Sequence, residues 1–408
     1  MSKEFHERAL NYHRGARPGK IYVSSHKNIN THQGLSLAYT PGVAAPVREI
    51  LKNPNTVNEY TIKGNLVAVI TDGSAVLGLG NTGPLAAKPV MEGKAVLFKR
   101  FADIDVFDIE LDTQDVDEIV NTIKNIAPTF GGINLEDISA PRCFEIEQRL
   151  IDELDIPVFH DDQHGTAIIV AAGLLNALEI QGKTTDTIQV VCAGAGSAGI
   201  ATLNLLTELG VKRENMLLVD RNGVVSKDKK KKVNKYKAAF AVDTKKETLN
   251  DAMNGADVLI GVARGNLVTQ EMVKSMAEKP IIFALSNPDP EISPVDAFSC
   301  RNDLLMATGR SDYPNQVNNV LGFPYIFRGA LDAKSKEINT EMKIAAVHAL
   351  KDLAKLPVPD SVLQLYQISR PSSGADYLIP KQFDQRLIDT VPKAIFEAAV
   401  SSVVSCLT

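Results

Sequence analysis

Short apolar bursts recur along this chain, and each ends in glycine or in polar residues. They run Leu66–Ile70 before "TDG", Val106–Leu111, Ile133–Leu135 before "ED", Val158–Phe159 before "HDD", and Ile188–Cys192 before "AGAGSAG". Met216–Val219 before Asp220, Val258–Ile260 before "GVARG", Ile281–Leu285 before "SNPDP" and Leu304–Ala307 before "TGRSD" follow. Helical patterns lie between many of them. Strands alternating with helices predict parallel sheets with both faces covered, an α/β fold. In such sheets ligands bind beyond the carboxyl ends of the strands. The polar clusters of this chain fall at those ends.

A length of 408 residues suits roughly two domains. Residues 1–160 read as a separate α/β region that holds the substrate, residues 161–385 read as the nucleotide-binding unit with a core at about 185–330, and residues 386–408 read as a helical tail. Composition is that of an ordinary globular protein, 44% hydrophobic and 23% charged. A net charge of -5 excludes a strongly basic nucleic-acid binder on global charge. Cys143, Cys192, Cys300 and Cys406 form no CxxC pair, which fits reduced thiols better than a disulfide framework. The start, MSKEFHERAL, is too charged for a signal peptide. The longest apolar run, Ala167 to Leu178, is interrupted by Asn176 and is too short to span a bilayer. A cytoplasmic protein with no membrane partner is expected.

"IQVVCAGAGSAGIATLNLL" reads as a strand, a glycine turn and a helix. Gly194, Gly196 and Gly199 fit G-x-G-x-x-G, with Ala195, Ser197 and Ala198 between them. The first glycine permits the tight turn, the second lets backbone approach a pyrophosphate, and the third allows close helix–strand packing. The helix N-terminus offers free N–H groups to the phosphates. "NMLLVD" then ends in Asp220, an acid suited to an adenosine ribose. Asp220 favours NAD, because a 2′-phosphate would meet a carboxylate. Arg221 and the run "SKDKKKKVNKYK" offer cations to that phosphate and favour NADP, so both cofactors stay open.

"PVFHDDQHGTA" places Asp161 and Asp162 at the mouth of an apolar helix. One acid would suffice to complement the helix dipole. A second pair, Glu136 and Asp137, ends "GGINLED". If neighbours in space, the two pairs make a site for a hard octahedral cation, Mg²⁺ or Mn²⁺; surface acids and helix caps are the alternative. His160 and His164 are secondary candidates as ligands. In "AAKPVMEGKAVLFKRFA", Lys94 falls on the apolar helix face with Ala87, Val90, Phe98 and Phe101. It either snorkels to water or is an amine whose pKa desolvation lowers, suited to general-base work. Tyr39, before a Thr-Pro turn, is a packing anchor or a phenol that donates a proton.

Together these pieces resemble the malic enzymes in their short microbial form. The resemblance runs nearly end to end, through "YTPGVAAPV", "TDGSAVLGLGNTGP", "MEGKAVLFK", "NLEDISAPRCFEIE", "PVFHDDQHGTA", "CAGAGSAG", "ALSNPDPEISP", "GRSDYPNQVNN" and "IPKQFDQRL". It implies oxidative decarboxylation of malate to pyruvate and CO₂ with NAD or NADP and a divalent metal. It implies Glu136, Asp137 and Asp162 as metal ligands, Lys94 as general base paired with Asp161, and Tyr39 as general acid. Asn287 and one of Asn318 and Asn319 would bind substrate or the nicotinamide end of the cofactor. Larger animal-type relatives carry an arginine just after "TDG"; here the run is "TDGSAV", with Ser74 and Ala75, so another cation or a hydroxyl must hold the substrate carboxylate, and Ser74 is one candidate. A homodimer is expected from the resemblance alone, and at 408 residues no appended acyltransferase-like domain is expected. The rival readings are a malolactic-type enzyme, which releases lactate, and a dinucleotide-sensing protein without chemistry.

Overall fold

The computed structural model describes residues 3–15, 17–76, 78–227, 233–368 and 374–402. Two sheets follow one another along the chain. The first contains β1 (Leu66–Thr71), β2 (Asp105–Glu110), β3 (Gly132–Leu135) and β4 (Val158–His160), in the order β2-β1-β3-β4 with every pair parallel. The second contains β5 (Val190–Ala193), β6 (Met216–Asp220), β7 (Gly223–Val224), β8 (Val258–Gly261), β9 (Ile281–Ala284) and β10 (Leu305–Thr308). Its order is β10-β9-β8-β5-β6-β7, parallel throughout except for β6 with β7. The chain winds outward from β5 in both directions, so this is a doubly wound, Rossmann-type sheet with its switch point at β5 and β8. Every apolar burst of the sequence became a strand. Only β7 had no such signal, because two residues of antiparallel pairing carry no apolar run.

β1 and β5 are buried along their whole lengths, as parallel strands covered on both faces must be. The helix Asp161–Gln181 starts directly after β4 of the first sheet and leads to β5 of the second. It is buried on nearly every side through Ala167–Leu174, which explains why its sequence is apolar all round rather than along one stripe. Gly182 ends it in the left-handed region at φ 69°, the common glycine stop. Asn176, the one polar interruption of that run, donates its amide to the carbonyls of Lys351 and Leu378, each at 2.9 Å. It thereby ties the helix to the C-terminal third of the chain.

That C-terminal third returns to the first sheet. Helix Phe323–Asp332 lays Phe323 and Phe327 against Phe98 of helix Pro84–Ala102, with ring centroids 4.8 and 5.3 Å apart. Phe327 also meets Phe159 of β4 at 5.9 Å. A Cβ on Gly132 would come within 2.9 Å of the Phe327 ring, so the glycine lets the ring lie directly on β3. Such tilted and edge-on aromatic pairs add about 0.5–1.5 kcal/mol each beyond their buried area.

The N-terminal helices Lys3–Arg14, His32–Ala38 and Ala44–Lys52 are different, for none of them buries a residue. Among the described residues Cys143, Cys192 and Cys300 are free thiols, and Cys406 lies outside them. No helix of the described residues is long and apolar enough to cross a membrane.

Phe327→Ala removes the ring that joins β3, β4 and helix Pro84–Ala102. We expect about 3–5 kcal/mol of destabilisation, read as a lower midpoint in thermal unfolding followed by circular dichroism. An unchanged midpoint would show that the C-terminal helices are not needed to hold the first sheet.

Candidate active site

Register brings the acids together. Leu135 of β3 pairs with His160 of β4, so the next residues, Glu136 and Asp161, leave the sheet side by side at its carboxyl edge. Glu136 is held by its backbone N–H to the Ile70 carbonyl at 2.9 Å and by the Asn134 amide on Oε2 at 2.9 Å. Asp137 takes a left-handed turn at φ 54°, and its backbone N–H donates to Asp162 Oδ2 at 2.8 Å. Glu136, Asp137 and Asp162 each offer a carboxylate oxygen within 4.8 Å of the others. Oxygens bound at about 2.1 Å to one octahedral ion lie roughly 3–4.2 Å apart, so small side-chain movements let this set share one cation. Neither histidine joins the cluster. His160 is wholly buried with its Nδ1 3.8 Å from Asp162, and His164 turns to Glu147 at 2.9 Å.

Lys94 points into this cluster and does not snorkel. Its ammonium lies 2.6 Å from Asp161 Oδ2 and 2.9 Å from Glu136 Oε1, and 4.1 Å from the centre of the Phe323 ring. The expectation of an amine depressed by burial is corrected here. Burial favours the neutral form, but Asp161 and Glu136 outweigh it and hold Lys94 above the ordinary lysine range. Glu136 responds the other way. Burial pushes its carboxyl well up, Lys94 opposes this, and Asp162, Asp161 and Asp137 push it further. A cluster with more negative charge than one lysine balances is a cluster that calls for another cation.

Asp161 is wholly buried, and its Oδ1 lies only 2.0 Å from where a Cβ on Gly165 would stand. Glycine at 165 therefore makes the space for the Asp161 carboxylate. Asn319 donates to Asp161 Oδ2 at 3.2 Å, and its own oxygen accepts the Thr166 hydroxyl at 3.1 Å. Asn318 instead caps the turn Asn319–Leu321, accepting the Val320 N–H at 3.0 Å. Ser74 is not left free for a ligand. Its hydroxyl donates to Asp72 Oδ1 at 2.5 Å within the tight "TDGS" turn and accepts the Ser139 N–H at 2.9 Å from the segment after β3. Tyr39 is not brought to Lys94 or to the acids; its side chain is 70% exposed.

The nucleotide turn follows β5. A Cβ on Gly194 would meet the Val262 carbonyl at 2.5 Å and one on Gly199 the Gly194 carbonyl at 2.0 Å, so both positions exclude any side chain. A Cβ on Gly196 would meet nothing within 4 Å, which leaves open space above the turn. Ser197 starts the helix Ser197–Glu208, with Ala198 inside its first turn. Asp220 ends β6 and accepts the Lys237 ammonium at 2.9 Å. Arg221 is exposed beside it, and residues 228–232 of the lysine run lie outside the described residues. Asn287 follows β9, and Gly78 of the first sheet's loop approaches it so closely that a Cβ there would stand 2.7 Å from its carbonyl. The metal-type cluster and the nucleotide turn thus belong to two sheets whose loops meet at Asn287.

Asn134 and Phe323 went unnoticed as site residues in the sequence, and Lys237 was noted only as the end of the lysine run. Asn134 was within reach, since alternation along β3 puts it on the face of Glu136. Phe323 left no local signal, for it meets Lys94 only through the return of the C-terminal helices.

Residues 18–151 match the family model described as malic enzyme, N-terminal domain, and residues 163–370 that described as malic enzyme, NAD binding domain. An NADP-dependent malic enzyme of Halomonas elongata is 55% identical over 402 residues, 98% of this chain and 95% of that one. An NADP-dependent malic enzyme of Rhizobium meliloti is 55% identical over 396 residues, 97% of this chain but 52% of that one, so the chain spans about half the length of this relative. The crystal structure of malic enzyme from Pyrococcus horikoshii superposes with a TM-score of 0.90 at 43% identity, covering 99% of this chain and 92% of that one. With both domain models matched in order and more than half its residues shared with relatives along its length, the chain belongs to the malic enzyme family.

Proposed function

We propose that this chain oxidises and decarboxylates (S)-malate to pyruvate and CO₂ while reducing NAD(P), with a divalent cation. The observation that carries the reading is the buried Lys94 ammonium between Asp161 and Glu136, at the edge of a three-carboxylate cluster. Residues 1–160, with the first turn of the helix that follows, hold the malate. Residues 161–385 hold the dinucleotide on the Gly194–Gly199 turn, and the helix Leu387–Ser401 closes the unit within the expected tail 386–408, whose residues 403–408 lie outside the described residues.

Glu136, Asp137 and Asp162 fit Mg²⁺ or Mn²⁺ by donor type, number and spacing. When bound, such a cation supplies positive charge beside the malate hydroxyl and, later, beside the ketone that draws electrons from the breaking C–C bond. The nicotinamide supplies the hydride acceptor. Lys94 Nζ takes the hydroxyl proton. Sharing Glu136 with a cation weakens one of the two carboxylates that hold the ammonium, and burial then favours the neutral amine. Asp161 keeps the amine in place and stabilises the ammonium once it forms. Asn319 fixes Asp161 and has the nearer claim to the cofactor; Asn287 and Asn318 are read as ligands of substrate or nicotinamide.

Tyr39 is the proton donor to the enolate carbon in this reading. Its neighbours Leu35, Leu37, Val47 and Leu51 are all exposed apolar side chains. A second copy of the chain would cover such a face, and we read the active form as a homodimer in which Tyr39 gains its surroundings.

For the cofactor we infer a preference for NADP. The Lys237 ammonium cancels the Asp220 carboxylate that would repel a 2′-phosphate, and Arg221 adds a second cation. Lys237→Ala should raise KM for NADP at least ~10-fold, the loss of about one charge-assisted contact. KM for NAD should change far less. An equal effect on both cofactors would detach Lys237 from the phosphate.

Steady-state assays with malate, Mn²⁺ and either cofactor should yield pyruvate and reduced nicotinamide. Lactate without net reduction would return the malolactic reading, and no turnover under any condition would return a sensing role. Lys94→Ala and Asp162→Ala should each lower kcat by at least ~10²-fold with unchanged circular dichroism; near-normal rates would remove that residue from the mechanism. Gly165→Ala forces the Asp161 carboxylate out of its place, and a misplacement of about 1 Å near the chemistry lowers turnover by up to ~10²-fold. Full activity in that variant would mean that Asp161 need not stand where it does.

A further inference from the structure

Behind the carboxylate cluster lies one acid that neither the metal nor Lys94 touches. Glu147 is on helix Arg142–Glu153, with its side chain only 8% exposed. Three donors converge on it. The backbone N–H of His160 reaches Oε1 at 2.9 Å, and the Gln163 amide reaches Oε2 at 3.0 Å. His164 Nε2 lies 2.9 Å from Oε1 and 3.0 Å from Oε2. A carboxylate only accepts, so His164 carries its proton on Nε2.

The positions of these donors matter. His160 precedes Asp161 and Asp162, and Gln163 and His164 follow them. One buried carboxylate therefore grips both ends of the two-residue segment that carries the partner of Lys94 and a predicted metal ligand. The helix start has no cap of its own, since the His160 side chain makes no capping bond. Glu147 instead holds this start from outside the helix, accepting the His160 N–H and the side chains of Gln163 and His164. Burial opposes the charge of Glu147, but His164, and Lys343 from a further helix, outweigh it and hold the carboxyl down at about 2. Buried charge of this kind persists only when every acceptor site is filled, and here the fillers are the flanks of the site.

We propose that Glu147 is a positioning residue for the divalent cation: it fixes the first turn of helix Asp161–Gln181 so that Asp162 meets Glu136 and Asp137. The proposal rests on the reading of those three carboxylates as the cation's ligands. Outer partners of this kind change metal affinity by about 10–100-fold when removed.

The test measures Mn²⁺ binding to the full chain from the electron paramagnetic resonance signal of free Mn²⁺, without substrate. NADPH binding by fluorescence and the thermal midpoint are measured beside it. Glu147→Gln keeps the shape but puts an amide donor where only acceptors fit. It should weaken Mn²⁺ binding about 10-fold or more and leave NADPH binding within twofold. Gln163→Ala, which removes one of the bonds without touching the backbone, should weaken Mn²⁺ binding at least ~3-fold and serves if Glu147→Gln does not fold. Asp162→Ala separates the two readings. If it binds Mn²⁺ as the wild type does, the ligand assignment fails. If it loses Mn²⁺ while Glu147→Gln and Gln163→Ala keep wild-type affinity, the ligand assignment stands and the positioning role is overturned. A lower thermal midpoint with unchanged Mn²⁺ affinity also overturns it, because that is what a purely structural contact would give.

Discussion

Four carboxylates at the ends of two adjacent parallel strands repel one another, and everything near them is arranged around that repulsion. Glu136, Asp137, Asp161 and Asp162 are forced together by the Leu135–His160 register of β3 and β4. Like charges a few ångströms apart in a partly dry site repel by several kcal/mol at an effective dielectric near 20. Lys94 offsets part of this by lying between Asp161 and Glu136. The remaining negative charge is what the proposed divalent cation would offset. The buried amine and the candidate cation site thus arise from one constraint, since both depend on the same acids.

Holding such a cluster requires a stiff frame, because charges free to separate would do so. The frame is the long buried helix Asp161–Gln181, which begins inside the site and ends at the second sheet. Glycine at 165 gives the Asp161 carboxylate room against the helix itself. The return of the C-terminal helices then closes the other side, where Phe323 lies under the Lys94 ammonium and Phe327 lies on β3 and β4. Aromatic packing and the electrostatic site share residues, so the stability of the first sheet and the placement of Lys94 are one problem.

The dinucleotide side obeys a different constraint, that of close backbone approach. Gly194 and Gly199 are packed against carbonyls at distances no side chain tolerates, while Gly196 faces open space. The turn stands at the switch point of the second sheet, where outward winding in both directions leaves a crevice. The Asp220 carboxylate beside it is already paired with Lys237. A carboxylate that alone would repel a 2′-phosphate thus has a cation seventeen positions further on against it, the basis of the cofactor preference proposed above.

Local pattern determined much of this protein. Strand bursts that end in glycine or acid marked β1 to β6 and β8 to β10, because parallel strands are apolar throughout and ligand loops follow them. The glycine turn was equally legible, because backbone sterics act over a few residues. The acidic pairs at 136–137 and 161–162 were visible as oddities, and Lys94 as a cation on an apolar face. Tertiary structure alone decided their charge states and partners. Lys94 was read as either snorkelling to water or depressed by burial, yet it turns inward and two carboxylates from other segments hold its proton. Ser74 was a candidate substrate ligand, yet its hydroxyl is engaged by Asp72 of its own loop and by the Ser139 N–H of a distant segment. Phe323 and Glu147 gave no local sign of their parts, since those parts exist only across distant segments. Sequence records propensity and burial, which are short-range. Electrostatic balance is long-range, summed over whatever the fold brings near, and so it could be read only once the fold was known.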